Sequence, residues 1–132
     1  MRYWIFDEDQ TAQHFPFQRL VRQVRAVVGP TQGSCEITRA SGYGAQINEW
    51  KDVLNQTDKV VVSLDLLDSL SEGTEEWFYE CEAKLPDLDV RFGLHDSTAL
   101  FIEAAPEVSN QVVKAFKDVR LAASASTNSE IR

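Results

Sequence analysis

The chain keeps switching its hydrophobic period between about two and about 3.6 residues, so it can be neither an all-helical bundle nor an all-β sandwich. Arg2-Tyr3-Trp4-Ile5-Phe6 is an aromatic and β-branched run, which predicts a strand with both faces covered. Phe17, Leu20, Val21, Val24, Val27 and Val28 then recur at helical spacing. Arg19 and Arg22 lie opposite, Arg25 lies at the flank, and Gly29-Pro30 is a stop signal. Residues 34–38 alternate, with Cys35 and Ile37 on one side, as a half-buried strand does. After the loop Ser41-Gly42-Tyr43-Gly44, the spacing of Ile47, Trp50, Val53 and Leu54 predicts a short helix ending near Asn55. Val60-Val61-Val62-Ser63-Leu64 then predicts an inner strand.

Residues 64–70 fit both periods, and a strand end running into a helical turn is expected there. Thr74 has the character of an N-cap, with Glu75 and Glu76 in the first turn, so a helix is predicted over residues 74–85 with Pro86 as its stop. Val90, Phe92 and Leu94 alternate with polar residues, Leu94-His95-Asp96-Ser97 turns the chain, and residues 98–103 form the second arm of a β-hairpin. Pro106 suits a first helical turn, and Val108, Val112, Ala115, Phe116 and Val119 line one face of a last helix. Residues 121–132 are small and polar apart from Ile131, which predicts a disordered C-terminal tail.

This order predicts an α/β fold with an α+β tendency. Early strand–helix alternation favours parallel pairing through crossovers, whereas the hairpin must be antiparallel. The expectation is one compact domain over residues 1–120, with a mixed sheet of about five strands and about four helices packed on it. A length of 132 residues, with 43% apolar and 26% charged residues, fits a single globular core. No apolar run approaches the ~18–20 residues that span a bilayer, and the opening residues are not those of a signal peptide, so a cytoplasmic location without membrane contact is expected. Cys35 and Cys81 both fall on apolar faces and are expected to be reduced and buried.

The formal charge of −8 is concentrated in residues 58–89, where ten acids face two lysines; elsewhere acids and bases cancel. Such a field repels phosphates and favours a cationic partner over nucleic acid. The arginines at 19, 22 and 25 are accordingly expected to be a solvated helix face. On a helix over residues 74–85, Trp77, Phe78, Cys81 and Leu85 would pack inward. Tyr79 would lie opposite, ringed by Glu75, Glu76 and Glu82, with Asp65, Asp68 and Glu72 extending the surface. A tyrosine among carboxylates suits contact with a cationic protein, because the ring offers area at low entropic cost and the acids steer association.

A second class of function rests on Asp7-Glu8-Asp9-Gln10-Thr11, which follows the apolar run Tyr3 to Phe6. The segment resembles the first motif of haloacid dehalogenase-like phosphohydrolases, D-x-D-x-T after a strand. That resemblance implies a magnesium-dependent phosphohydrolase in which Asp7 is the nucleophile and Asp9 the acid, both helping to hold the metal. Ser63, Lys84 and the Gly93-to-Ser97 turn would stand for the later motifs. Gln10 replaces the family's usual glycine, Leu94-His95 interrupts its glycine-aspartate step, and its sheet needs parallel crossovers where a hairpin is predicted here.

Other chemistries find little support. His14 and His95 are the only histidines, which is too few for a metal phosphohydrolase of the His-Asp type, and with Cys35 and Cys81 they form no close pair of the kind structural zinc sites use. Gly42-x-Gly44 lacks the Lys-Ser or Lys-Thr step of a phosphate loop. No metal or cofactor is expected.

Small acidic cytosolic α/β domains with such a face resemble immunity proteins that neutralise basic nuclease toxins. Tyr43-Gly44 followed by Trp50 and Leu54 resembles the barstar-type inhibitors over about a dozen residues, while the predicted strand order elsewhere departs from theirs. The leading expectation is therefore a non-enzymatic, immunity-type inhibitor of a basic toxin or enzyme. Self-association through the aromatic first strand is a third expectation.

Overall fold

The computed structural model describes residues 1–8, 15–29 and 33–122, which form β1 (Arg2–Ile5), α1 (Phe17–Val28), β2 (Ser34–Tyr43), α2 (Ala45–Leu54), β3 (Val60–Ser63), α3 (Leu64–Leu70), β4 (Trp77–Leu85), β5 (Val90–His95), β6 (Ala99–Glu103), α4 (Pro106–Val113) and β7 (Val119–Leu121). The seven strands make one open sheet in the order β3-β2-β4-β5-β6-β1-β7. Every neighbouring pair is antiparallel, so the expected mixed sheet of about five strands is corrected to an antiparallel sheet of seven.

The reason lies in what sits between the connected strands. Three helical connections, β1-α1-β2, β3-α3-β4 and β6-α4-β7, link strands that run the same way, as crossovers do. In each case at least one oppositely directed strand intervenes, so the connected strands never pair. The remaining connection differs. With ten residues, α2 spans about 15 Å. It returns alongside only the Tyr43 half of β2, and β3 carries on in the same direction beside the Ser34 half, where Ser34 faces Ser63 and Ile37 faces Val60.

The expected helix over residues 74–85 is also corrected, because Trp77–Leu85 is a strand between β2 and β5. From Cys81 onward it alternates as a strand must, with Cys81, Ala83 and Leu85 buried and Glu82 and Lys84 half-buried between them. Two bulges interrupt the β2–β4 ladder. The register passes from Ile37–Ala83 to Arg39–Glu82, leaving Thr38 extra on β2, and from Ser41–Glu80 to Gly42–Phe78, leaving Tyr79 extra on β4. The last helix ends at Val113 rather than Val119, and Val119–Leu121, expected at the helix end and tail, pairs as an edge strand with β1. Residues 123–132, expected as a disordered tail, lie outside the described residues.

All four helices feed one hydrophobic cluster with the inward residues of the sheet: Phe17, Leu20 and Val24 of α1, Ile47 and Trp50 of α2, Leu64 and Leu67 of α3, and Val112 of α4 meet Ile5, Ile37, Phe78, Phe92, Leu94 and Ile102. Phe78 touches both Phe17, edge to face at 5.5 Å, and Trp50 at 6.2 Å. Ala99 and Phe101 are buried outside that cluster, because they belong to the opposite face, which is helix-free among the described residues. There Phe101 is covered by the Arg2 guanidinium at 4.5 Å and by Trp4 at 5.9 Å. Gly93 lies opposite Phe101, and a Cβ at that position would sit 1.9 Å from the Cys81 carbonyl oxygen. The described helices include none long and apolar enough to cross a membrane.

Candidate functional site

The helix-free face of the sheet carries the largest exposed aromatic group among the described residues. Tyr43 ends β2 and faces Trp77 at the start of β4, and their rings stack 5.7 Å apart at 19°. Trp77 also meets Tyr79 edge to face, at 4.8 Å and 90°. The strand places Trp77 and Tyr79 on either side of the inward-pointing Phe78, and the bulge at Tyr79 turns the chain back into phase for Cys81. Tyr43 and Tyr79 are 61% and 49% exposed, whereas Trp77 is half-buried between them. The result is a corner of two exposed, steeply inclined rings on a tryptophan base. The hairpin tip helps hold it, since the Ser97 backbone N–H and hydroxyl both donate to the Tyr79 carbonyl, at 2.8 and 3.1 Å.

The expected acidic surface is divided by the structure. Tyr79 is exposed, and Glu72 and Glu75 are exposed without an ion pair among the described residues. Glu72 and Glu75, but not Tyr79, line a depression of about 280 Å³ with Ser69, Leu70, Thr74 and Glu76, just ahead of Trp77 in the chain. Glu76 has another task. Its carboxylate accepts from the Ile47 N–H at 2.9 Å and the Gln46 N–H at 3.2 Å, which are the third and second residues of α2. Glu82 lies on the outer face 3.5 Å from Arg91, and Glu80 beside it pairs with Arg39 at 3.0 Å.

Asp65 and Asp68 are not brought to this group. They sit on α3 against α1, where Arg25 reaches Asp65 at 2.8 Å, Arg22 reaches Asp68 at 3.2 Å, and Gln18 donates to Asp68 at 3.0 Å. The α1 arginines at 22 and 25 thus belong to a helix–helix ion network. Sequence reasoning missed Tyr43 and Trp77 because it placed one in a loop and the other in the core. Alternation traced back from Leu85 through Cys81 would turn Trp77 inward, and it is the bulge at Tyr79 that turns it outward.

Asp7 is also engaged. Its carboxylate accepts from the Lys117 N–H at 3.0 and 2.9 Å and from the Asp118 N–H at 2.7 Å, tying the end of β1 to the start of β7. Asp9 and His14 lie outside the described residues. The Ser63 hydroxyl accepts from the Leu66 N–H at 3.0 Å as the N-cap of α3. The described residues hold no group of three His, Cys, Asp or Glu side chains placed to hold a metal ion. Cys35 and Cys81 are free, buried thiols on the core face. Burial, with a smaller contribution from the charge of Glu36, pushes Cys35 up to about 12. Burial, then Cys35 and the neighbouring glutamates, pushes Cys81 well above its ordinary value. Both thiols therefore stay protonated near neutrality and are poor nucleophiles.

The chain matches no protein-family model, no curated protein and no solved structure.

Proposed function

We propose that the chain is a non-enzymatic binding domain for a cationic protein, of the kind an immunity-type inhibitor of a basic toxin or enzyme would be, and that it binds through the helix-free face at Tyr43, Trp77 and Tyr79. The observation that carries this reading is the exposed aromatic corner itself. Large rings held by neighbours at the surface supply contact area with few torsions to freeze, which is the composition of interface hot spots. Glu72 and Glu75, shortly before Trp77 in the chain, carry charge without an ion pair among the described residues, and the overall charge of −8 steers a basic partner toward the domain.

The test is affinity capture from source-cell extract by the wild-type chain and by the Tyr43→Ala/Tyr79→Ala variant. A basic protein retained by the wild type at low salt, released at high salt and absent from the variant is the expected result. Retention of that protein by the variant places the interface elsewhere. Self-association through the first strand is a weaker reading, because β1 is paired on both sides, by β6 and β7. Sedimentation over a range of concentrations separates a self-associating chain from a monomer.

A further inference from the structure

We infer that the group recognised at the aromatic corner is an arginine side chain of the partner, stacked on an exposed ring of the Tyr43–Trp77–Tyr79 group; this rests on the binding reading above and names its chemistry. Four other rings, from half-buried to buried, lie under the chain's own arginines. Arg2 lies over Phe101 at 4.5 Å and over Trp4 at 5.2 Å, Arg120 lies over Phe6 at 4.3 Å, and Arg19 lies over Phe116 at 5.7 Å. No guanidinium or ammonium group lies over Tyr43, Trp77 or Tyr79 among the described residues. The exposed aromatic group at Tyr43, Trp77 and Tyr79 is thus without an internal cation among the described residues.

The cation nearest by register is Arg39, two residues before Ser41 on β2, and Glu80 already holds it at 3.0 Å. A cation over these rings therefore has to come from a partner. Arginine fits better than lysine. Its guanidinium is planar and weakly hydrated, lies flat on a ring, and still directs N–H donors sideways to a carboxylate. A lysine ammonium offers a point charge to the same corner and keeps more of its water.

Octa-arginine and octa-lysine peptides, matched in charge and titrated at low salt, test this directly. The wild-type chain is expected to bind octa-arginine about three- to tenfold more tightly, a preference that the Tyr43→Leu/Tyr79→Leu variant loses while keeping its urea midpoint. Equal affinity for the two peptides, or a preference unchanged in the variant, overturns the arginine inference and leaves a general cation-binding face standing. Binding of neither peptide overturns both. Should the double variant fail to fold, ring-proton shifts of the wild type decide. Octa-arginine must move Tyr43, Trp77 and Tyr79 more than Trp4 or Trp50, and the absence of that pattern refutes the site.

Discussion

Removing the Glu76 carboxylate should destabilise the whole domain, even though the residue sits in a loop outside the helix it serves. Helix α2 begins at Ala45, and its N-cap is Gly44, which has no side chain to accept the orphan N–H groups of the first turn. Glu76 reaches in from the segment before β4 and takes the two that a Ser or Asp cap would share, Gln46 at 3.2 Å and Ile47 at 2.9 Å. Glycine is required at 44 for two reasons: its φ is +128°, and a Cβ there would fall 2.1 Å from Glu76 Cγ. A lost cap typically costs about 1 kcal/mol. The second bond and the interaction of the charge with the helix terminus each add about 0.5–1 kcal/mol. Glu76→Ala should therefore cost about 2–3 kcal/mol. Glu76→Gln, which keeps one acceptor oxygen and loses the charge, should cost about 1 kcal/mol.

Urea unfolding followed by tryptophan fluorescence and circular dichroism measures both variants. Glu75→Ala is the control, because that exposed neighbour has no partner among the described residues and should stay within about 0.5 kcal/mol of wild type. A Glu76→Ala variant no less stable than Glu75→Ala refutes the capping argument. The Gly44→Ala background sharpens the test. The added methyl displaces the carboxylate, so Glu76→Ala should cost clearly less there than in the wild type.

Two further perturbations probe the edge of the sheet and its core. Asp7→Ala should cost about 1–3 kcal/mol and speed amide exchange at Lys117, Asp118 and Phe6, because the carboxylate holds the first two N–H groups and Phe6 donates to the Asp118 carbonyl at 2.8 Å. Magnesium-dependent turnover of a phosphomonoester that Asp7→Asn abolishes would instead favour the phosphohydrolase reading. For Cys35, the folded thiol ionises near 12 and the unfolded one near 9.0, so stability is unaffected below the lower value and falls as pH rises between the two. The loss is about 1.4 kcal/mol per pH unit. Cys35→Ala should flatten the decline in urea midpoint between about pH 9 and 10.5 by that slope, and parallel curves would contradict the assignment.

What the sequence conveyed and what it hid divide along a physical line. The amphipathic α1, the hairpin of β5 and β6, and the start of α4 at Pro106 were legible because each is specified by its own residues. The β4 strand was not, and the bulge explains why. With Tyr79 extra, the inward residues Phe78 and Cys81 are three apart, and with Trp77 and Leu85 they imitate a helical stripe; Thr74, Glu75 and Glu76 then complete the imitation of a helix start. Those two glutamates do favour a helix N-terminus, but Glu76 serves that of α2, a tertiary pairing that local propensity cannot reveal. Strand adjacency was hidden for the same kind of reason, since α1, α3 and α4 each carry the chain past an intervening strand.

The fate of the ten acids in residues 58–89 determines how charge can act in binding. Asp65 and Asp68 face the α1 arginines, Glu80 and Glu82 face Arg39 and Arg91, and Glu76 caps α2. Asp87 and Asp89 lie at the β4–β5 turn, at the opposite end of β4 from Tyr79, and Asp58 lies beside Lys59. Glu72 and Glu75 lie five and two residues before Trp77 in the chain and have no ion pair among the described residues. In the binding mode proposed above, the net charge would therefore act on a partner at a distance, while contact at the corner would be made mainly by rings. Distant charge accelerates encounter and is screened over about a Debye length, roughly 10 Å at 0.1 M salt, whereas ring contacts resist dissociation and are insensitive to salt. Added salt should accordingly slow association with a basic partner while changing dissociation little, and Tyr79→Ala should do the reverse. Salt and Tyr79→Ala acting on the same rate would mean that charge and rings are not separated in this way.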